Sequence, residues 1–401
     1  MEKIIYILLC FFVFSRLNAQ TICNNHFKID TAFVFGNAFL LAYSQQGNEY
    51  YFIDQNYETT EKLGKWKAVR RLEGTTNFAI VTNKDNKEFL LDTFGMAFSV
   101  AFRVRDITPQ TLALVLCEKE LYSVPLQLFK YLQLKVLVLA DNHINDLPNQ
   151  IGALKNLTTL SLEKNEIKAF PKEIRNLQQL TYLYLSDNNL GHLPKEVYEL
   201  KNLKILDVSH NKELAFSKEI GKLRNLITLN MRKRDVFEPN EVDLPQEIGE
   251  LSNLERLDIT GNQFISLPNE IGNLKKLRFL YLENNQLSEL PKEIGHLQNL
   301  TSLKLNYNQI SSFPEGIGNL KNLNELSAAN NRLCCISREI RQLKELKTLD
   351  LSYNLLEGLP IEIAELKKLE SFFLGHNAMI TQKKQKTKEL LPNCKIWFEE
   401  R

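Results

Sequence analysis

The chain has 401 residues, of which 44% are hydrophobic and 24% charged, proportions that exclude a disordered or collagen-like protein. Fifty basic and 48 acidic residues give a net charge of +2, which argues against a nucleic-acid-binding protein, because such proteins concentrate Lys and Arg on one face. The length suits either two domains or one elongated repeat array.

Residues 1–19 differ in composition from the rest of the chain. Lys3 precedes an apolar run from Ile4 to Phe14, and Ala19 closes the segment. A cationic start, an apolar stretch of about ten residues and a final small residue are typical of a secretory signal peptide. The run is shorter than the roughly 20 apolar residues that span a membrane. The sequence therefore predicts an exported protein (secreted, periplasmic or at the cell surface). A buried core segment in a cytoplasmic protein is the alternative.

Residues 20–105 are rich in aromatic and β-branched residues, which favour strands. Two stretches, 39–54 and 78–92, each have the order strand, polar turn, strand that is typical of a β-hairpin. They resemble the β repeats of the tryptophan–glycine (WG) type, although the Trp-Gly pair itself is absent and only Gly64 and Trp66 approach it. We expect a small all-β N-terminal domain that also caps the first coil of the segment that follows.

Asparagine recurs with a fixed step of 23 residues along the rest of the chain. The one break is a gap of 51 residues between Asn211 and Asn262, which is two periods plus five residues. Each asparagine stands in the same apolar frame, LxxLxLxxNxLxxLPxxIGxLxx, which is complete from Leu277 to Leu297. The asparagines are Asn142, Asn165, Asn188, Asn211, Asn262, Asn285, Asn308, Asn331, Asn354 and Asn377.

This frame resembles the leucine-rich-repeat family in its 23-residue form, both the intracellular Ras-group and Shoc-type proteins and bacterial arrays with the wording PKEIGxLxNL. The resemblance implies an α/β solenoid, a curved right-handed coil with a parallel β-sheet on its concave face. Residues 106–391 would form twelve units and residues 392–401 a C-terminal cap. The units begin at residues 111, 134, 157, 180, 203, 226, 254, 277, 300, 323, 346 and 369.

The alternation within each unit gives the physical reason for such a coil. The leucines of the LxL core point inward and the residues between them point outward, because side chains alternate across a strand. The asparagine side chain satisfies main-chain groups where the chain leaves the strand, so that stacked copies form a ladder. The Leu-Pro-x-x-Ile-Gly-x-Leu part returns the chain, as a short or 3₁₀-like helix. No unit buries its own leucines, so only stacking produces a core.

The C-terminal end repeats the frame once more. Leu391, Cys394 and Ile396 take its apolar positions, so we interpret Cys394 as a core residue of a terminal strand. Trp397 and Phe398 would help to close the last coil. A basic run precedes them and is most simply a solvated helix; it contains Lys383, Lys384, Lys386 and Lys388.

The outward residues of the strands form the expected binding surface. In the fold that the resemblance implies they make one concave face, and aromatic and Arg side chains dominate the energy of protein interfaces. We predict a partner-binding patch on adjacent strands in the middle of the array, although β propensity alone also places such residues on exposed strand positions. The patch consists of Tyr182, Tyr184, Asp207, Arg232, Arg256, Asp258, Phe279, Tyr281 and Tyr307.

The sixth unit carries the five extra residues, within 234–244, and has Arg234 in place of the ladder asparagine. An insertion in a repeat array emerges as a loop on one edge, and such loops often contact a partner. The segment is therefore either part of the binding surface or a tolerated surface insertion.

The sequence lacks the patterns of catalytic and metal sites. Its six histidines are scattered, and it has no CxxC, G-x-S-x-G, H-E-x-x-H or phosphate-loop pattern. Cys117 is expected to face outward, either inert or paired with Cys23. Cys334 and Cys335 are expected to be free thiols on one turn. We expect no enzyme activity, no cofactor and no metal.

The sequence therefore favours a non-catalytic, monomeric module that holds a protein partner on its concave face, without nucleic acid and without a membrane span. Two other functions remain open. One is a surface adhesion protein or structural scaffold that binds protein or glycan. The other, if the signal peptide is misread, is an intracellular signalling regulator.

Overall fold

The computed structural model describes residues 27–35, 39–44, 49–54, 60–72, 75–234 and 244–398. The predicted signal peptide, Cys23 and residues 235–243 of the insertion lie outside these ranges. Within them, no helix combines the length and apolar character that crossing a membrane requires. The chain divides into two compact units, Met1–Leu121 with Lys130–Asn142, and Tyr122–Phe129 with His143–Arg401.

The first unit begins with eight strands: β1 (Phe27–Phe35), β2 (Phe39–Ser44), β3 (Glu49–Ile53), β4 (Lys65–Trp66), β5 (Ala68–Arg71), β6 (Phe78–Thr82), β7 (Glu88–Asp92) and β8 (Ala97–Ala101). Strands β1 to β4 form one antiparallel sheet and β5 to β8 an antiparallel meander. The pairs β2–β3 and β6–β7 confirm the two predicted hairpins. Both groups of strands contribute to a core in which Phe52 and Leu91 are fully buried.

The meander leads into the first repeats. Strand β8 pairs in parallel with β9 (Ala113–Val115), and β9 pairs in parallel with β10 (Val136–Val138). Cys117 lies two residues beyond β9 and is buried, so the expectation of an outward thiol is wrong. The chain has left the strand at that point, and the alternation of inward and outward side chains no longer applies.

The second unit contains the remaining strands, each three residues long. They pair in parallel, each with the next, in one unbroken register, and the middle residue of each strand from β11 to β20 is fully buried. This arrangement confirms the parallel sheet of a repeat solenoid. The strands are β11 (Thr159–Ser161), β12 (Tyr182–Tyr184), β13 (Ile205–Asp207), β14 (Thr228–Asn230), β15 (Arg256–Asp258), β16 (Phe279–Tyr281), β17 (Ser302–Lys304), β18 (Glu325–Ser327), β19 (Thr348–Asp350), β20 (Ser371–Phe373) and β21 (Lys395–Trp397).

The return segments contain 3₁₀ helices, as predicted. Proline precedes most of them, and its fixed φ, −67° at Pro268, directs the chain into the turn. The glycine within the segment is tightly enclosed: a Cβ on Gly272 would lie 2.5 Å from the main-chain oxygen of Glu293 in the next repeat. The 3₁₀ helices are Glu61–Leu63, Val104–Asp106, Leu126–Lys130, Asn149–Ala153, Lys172–Asn176, Val197–Glu199, Lys218–Lys222, Gln246–Glu250, Asn269–Asn273, Lys292–His296, Glu315–Asn319, Arg338–Gln342 and Ile361–Glu365.

The asparagine ladder is present as the sequence predicts, and Asn285 shows its pattern. Its Oδ1 accepts hydrogen bonds from the main-chain N–H groups of Asn262 and Phe264, at 3.2 and 3.0 Å. Its Nδ2 donates to the main-chain oxygens of Ile259 and Leu282, at 3.1 and 2.9 Å. Three of these four groups belong to the preceding repeat, so the ladder joins each repeat to the one before it.

A second row of asparagines lies on the exposed side of the return segments. In each case Nδ2 donates to a main-chain oxygen of the preceding repeat, as Asn299 does to Lys275 at 2.8 Å. The other members are Asn202, Asn225, Asn253 and Asn322.

The last two elements of the described chain are helix α1 (Thr381–Leu390) and strand β21. The lysines of α1 are mostly exposed, which confirms a solvated helix, and Trp397 stacks on Phe373 with ring centroids 4.2 Å apart. The interpretation of Cys394 is wrong. It precedes the strand and is only half-buried, because the chain still turns there before β21 begins, and burial raises the pKa of its thiol to about 11.

Candidate functional site

The strand face, by which we mean the outward side chains of β11 to β20, is open only in part. The outward residues of β11, Thr159 and Ser161, are buried, as is Glu163 just beyond them. The outward residues of later strands, such as Tyr182 and Arg256, are mostly half-buried. A partner can therefore reach the strand face only from β12 onward.

Seven of the nine predicted residues lie on four neighbouring strands, β12, β13, β15 and β16. One column of aligned outward positions contains Tyr182, Ile205, Thr228, Arg256 and Phe279. The neighbouring column contains Tyr184, Asp207, Asn230, Asp258 and Tyr281. The other two predicted residues, Arg232 and Tyr307, lie in the turns that follow β14 and β17.

The centre of the open surface is a stacked group of aromatic rings and cations. The guanidinium carbon of Arg256 lies 4.8 Å from the ring centroid of Tyr281 and 5.7 Å from that of Phe279. Lys304 Nζ lies 5.3 Å from the same Tyr281 ring. Such cation–π contacts favour these side-chain positions by about 0.5–1 kcal/mol each. We call Arg256, Phe279, Tyr281 and Lys304 the arginine–tyrosine cluster.

Lys304 was not among the predicted site residues, although it lies in the same column as Tyr281. Its ammonium group is 3.5 Å from Glu325. Burial by itself would lower the pKa of Lys304, but the carboxylates of Glu325 and Glu283 outweigh burial and raise the pKa. The lysine therefore stays charged at neutral pH and keeps its place beside the Tyr281 ring.

Beside this cluster lies a polar network around Asp207. Its Oδ1 accepts from the hydroxyl of Ser209 at 2.7 Å, and its Oδ2 accepts from Asn230 Nδ2 at 3.0 Å. Burial raises the pKa of Asp207, and burial also raises the pKa of Glu283, whose Oε1 accepts from Asn306 Nδ2 at 2.9 Å. Both carboxylates therefore accept hydrogen bonds from neighbouring side chains on or just beyond the strands.

Two predicted residues point outward but are not exposed. Tyr184 is 5% exposed and lies next to β11, whose own outward residues are buried. Asp258 is 8% exposed, and its Oδ1 accepts from the main-chain N–H of Thr260 at 3.1 Å, which folds the short side chain against the end of its strand. Neither offers the contact area that their positions in the sequence suggested.

Comparison with protein families agrees with this architecture. A model of a leucine-rich-repeat region matches residues 110–263 and 268–334, which is more than half of the chain, and a model of a single leucine-rich repeat matches residues 253–274 and 345–366. The chain belongs to the leucine-rich-repeat family.

Several solved leucine-rich-repeat structures are similar to this one. A leucine-rich-repeat protein of Leptospira interrogans is 34% identical over 72% of this chain and 84% of its own, with a TM-score of 0.54. The plant peptide hormone receptor RGFR1, in complex with RGF2, is 28% identical over 80% of this chain and 51% of its own, with a TM-score of 0.62. An internalin of Listeria monocytogenes, at 20% identity over 74% of this chain and 93% of its own and a TM-score of 0.58, shares the fold. No curated protein sequence matches the chain.

At the edge of this leucine-rich-repeat array where the insertion begins, half-buried polar side chains are incompletely paired. Arg234 Nη1 lies 3.7 Å from Asp187 Oδ1, and burial raises the pKa of that carboxyl group. Within the part of the chain that the structure describes, His210 Nδ1 and Arg232 Nε have no hydrogen-bond partner. Burial, and then the charges of Arg234 and Arg232, lower the pKa of His210 to about 4.

We expect His210 to make the array less stable in acid. The pKa of His210 in the folded state is below its ordinary value of about 6.5. Above pH 6.5 the residue is neutral in both the folded and the unfolded chain and does not lower the stability. As pH falls from 6.5 towards 4, His210 becomes protonated in the unfolded chain but stays neutral in the folded chain. The free energy of unfolding therefore decreases, by about 2 kcal/mol after allowance for partial exposure.

The measurement is urea unfolding of the parent and of His210→Asn at pH 7, 5.5 and 4. Asparagine tolerates the φ of 58° found at this position, so the variant keeps the turn. The parent should lose stability relative to the variant as pH falls. Asp207 and Glu283 have raised pKa values, which increase the stability as pH falls. Their effect is the same in the parent and in the variant, so it cancels in the difference between the two. A constant difference across this range would contradict the prediction.

Cys334 and Cys335 are exposed free thiols, as expected, with their sulfur atoms 3.7 Å apart. They line a cavity of about 480 Å³ together with Pro360 and with Lys383 and Lys386 of α1. In the described part of the chain, no group of three or more His, Cys, Asp or Glu residues is placed to hold a metal ion.

Proposed function

We propose that this chain is an exported, non-catalytic module that holds a protein partner on the open part of its strand face. The observation that carries the proposal is the arginine–tyrosine cluster. It combines Arg and Tyr, the residue types that contribute most to interface energy, in a group that is already ordered before binding. A pre-ordered group loses less conformational entropy when a partner binds.

Two further observations support this function. RGFR1, which shares the fold at 28% identity, was solved in complex with RGF2. The sequence itself contains no catalytic motif, and residues 1–19 have the pattern of a secretory signal. The proposed contact residues are the half-buried Tyr182, Asp207, Arg232, Arg256, Phe279, Tyr281 and Lys304, with Tyr307 at the margin. Tyr184 and Asp258 lie on the same face but are buried.

The test is capture of proteins from cell extract and surface fractions by three immobilised chains: the parent, Arg256→Ala/Tyr281→Ala, and Arg224→Ala. Arg224 lies outside the strands and pairs with Glu250 at 2.7 Å, so its variant removes an arginine without touching the cluster. We expect one protein to bind the parent and Arg224→Ala alike. The double variant should bind it at least about 30-fold more weakly, since a binding hot spot contributes about 2 kcal/mol or more.

Circular dichroism and the melting temperature show whether the double variant is folded. If the parent and a folded double variant retained every captured protein equally, the arginine–tyrosine cluster would not be part of the binding site.

A further inference from the structure

The residue before each ladder asparagine has a left-handed backbone, and in two repeats that residue is a tyrosine. Tyr307 has φ of 57° and Tyr353 has φ of 54°. Equivalent positions elsewhere hold Asn284 and Asn330, and asparagine is one of the residues that adopt this conformation readily. A bulky side chain with positive φ is unusual. The local backbone therefore does not explain the two tyrosines.

Packing does not explain Tyr307 either, and it explains Tyr353 only in part, through the His376 ring. Tyr307 is 58% exposed and Tyr353 is 42% exposed. An exposed residue that is kept in an unfavourable conformation tends to mark a functional position, and Tyr307 is such a residue.

The two tyrosines lie on one edge of the array, two repeats apart. Main-chain hydrogen bonds from Tyr307 to Ala329 at 2.9 Å and from Asn330 to Ser352 at 3.0 Å extend the sheet pairing into this edge. Strands in a sheet are roughly 4.8 Å apart, so about 9.6 Å separates Tyr307 from Tyr353. Asn330 stands between them. We call Tyr307, Asn330, Tyr353 and His376 the tyrosine edge.

The far end of this edge is rigid. The rings of Tyr353 and His376 stack with centroids 4.1 Å apart and an angle of 9° between their planes. One flat aromatic surface is therefore held in place by its neighbour before any ligand arrives, which lowers the entropy lost on binding.

We propose that the tyrosine edge binds a proline-rich segment in the polyproline II conformation, an inference that rests on the proposed function because it names the chemistry of the protein partner. Polyproline II has three residues per turn and a rise of about 3.1 Å per residue, so every third residue recurs after about 9.3 Å. That repeat is close to the spacing of the two tyrosines. Prolines at positions i and i+3 of the segment then lie on Tyr307 and Tyr353.

The residue between the tyrosines completes the match. A polyproline II helix forms no internal hydrogen bonds, so its carbonyl groups point outward and need donors. The side-chain amide of Asn330, midway along the edge, is such a donor. Proline-rich segments are recognised elsewhere by aromatic-lined grooves, because their preformed conformation costs little entropy to bind.

The probe is a fluorescein-labelled twelve-residue peptide of repeated Pro-x-x-Pro, measured by fluorescence anisotropy against the full chain, with a Gly-Ser peptide of equal length as the reference. We expect saturable binding of the proline peptide only. Tyr307→Asn and Tyr353→Asn should each weaken it at least tenfold, whereas Tyr307→Phe and Tyr353→Phe should keep most of the affinity because the ring remains.

Asparagine readily adopts the left-handed backbone, so the melting temperature of the two Asn variants should not fall. A loss of binding is then due to the loss of the tyrosine ring and not to a loss of folded structure. Tyr122→Asn is the matched control: Tyr122 is 72% exposed and stacks on His143 at 5.2 Å, far along the sequence from the edge. Its affinity should equal that of the parent.

Three results would overturn the inference: no binding of the proline peptide by the parent, equal binding of the Gly-Ser peptide, or undiminished binding by both Asn variants. Failure of the proposed function gives a different pattern. In that case Arg256→Ala/Tyr281→Ala retains every captured protein, while the anisotropy results stand.

Discussion

Replacing Asn285 by alanine is expected to lower the free energy of unfolding by about 4 kcal/mol. The substitution removes the two hydrogen bonds that Oδ1 accepts and the three that Nδ2 donates, and four of these five are buried bonds to the main chain. Each main-chain group left unsatisfied away from water costs about 1–3 kcal/mol, and the cavity is too confined by neighbouring repeats for solvent to replace all four bonds. The measurement is urea unfolding at pH 7, followed by circular dichroism.

Asn299→Ala is the matched control, because it also removes an asparagine that joins two repeats. Its Nδ2 makes a single bond, to Lys275 O at 2.8 Å, on an exposed part of the return segment. Water can satisfy that carbonyl, so we expect a loss below about 1 kcal/mol. Similar losses for both variants would mean that the ladder contributes no more to stability than a surface bond does.

Gly272→Val is expected to destabilise the array by about 3 kcal/mol or more. The new Cβ would lie 2.5 Å from the main-chain oxygen of Glu293 and 2.8 Å from its Cβ, distances that force the adjacent return segments apart. Overpacking typically costs about 1–3 kcal/mol, and here the obstacle is main chain, which cannot rotate away. Thermal unfolding should show a clear fall of the melting temperature.

Gly191→Ala provides the control for the loss of a glycine. A Cβ at Gly191 would meet nothing within 4 Å. Its melting temperature should be unchanged or slightly higher, since alanine restricts the unfolded chain, an effect of about 0.4–1 kcal/mol. If Gly272→Val melted at the temperature of Gly191→Ala, close packing of the return segments would not be a source of stability.

The repeat architecture could be predicted in detail because the pattern of apolar residues and asparagine acts within a few residues and recurs in every repeat. Leu280 is buried and Tyr281 points outward because side chains alternate across a strand, and the turn beyond needs Asn285 to satisfy its main chain. Strand β21 departs from this frame. There the frame misplaced Cys394, since β21 begins four residues after Leu391, whereas β16 begins two residues after the corresponding Leu277.

The candidate site could be predicted only as a set of positions. Outward direction follows from alternation, but exposure depends on what lies over the strand, and that is why Tyr184 and Asp258 are buried. The pairing of Arg256 with Tyr281 depends on side-chain conformation across two strands. The depressed pKa of His210 depends on burial and on Arg232 and Arg234, which only the fold brings near.

Arg234 interrupts the ladder once, and the interruption affects how the array opens. Asn262 Nδ2 still donates to Met231 O at 2.9 Å, but within the described residues its Oδ1 accepts no hydrogen bond. The cooperativity of a repeat protein depends on the coupling between neighbours, so this junction is where the array should separate into two cooperative blocks. Local unfolding at this junction therefore costs less free energy than elsewhere in the array, and it begins one strand away from Arg256. A partner bound across β14 and β15 would hold the two blocks together.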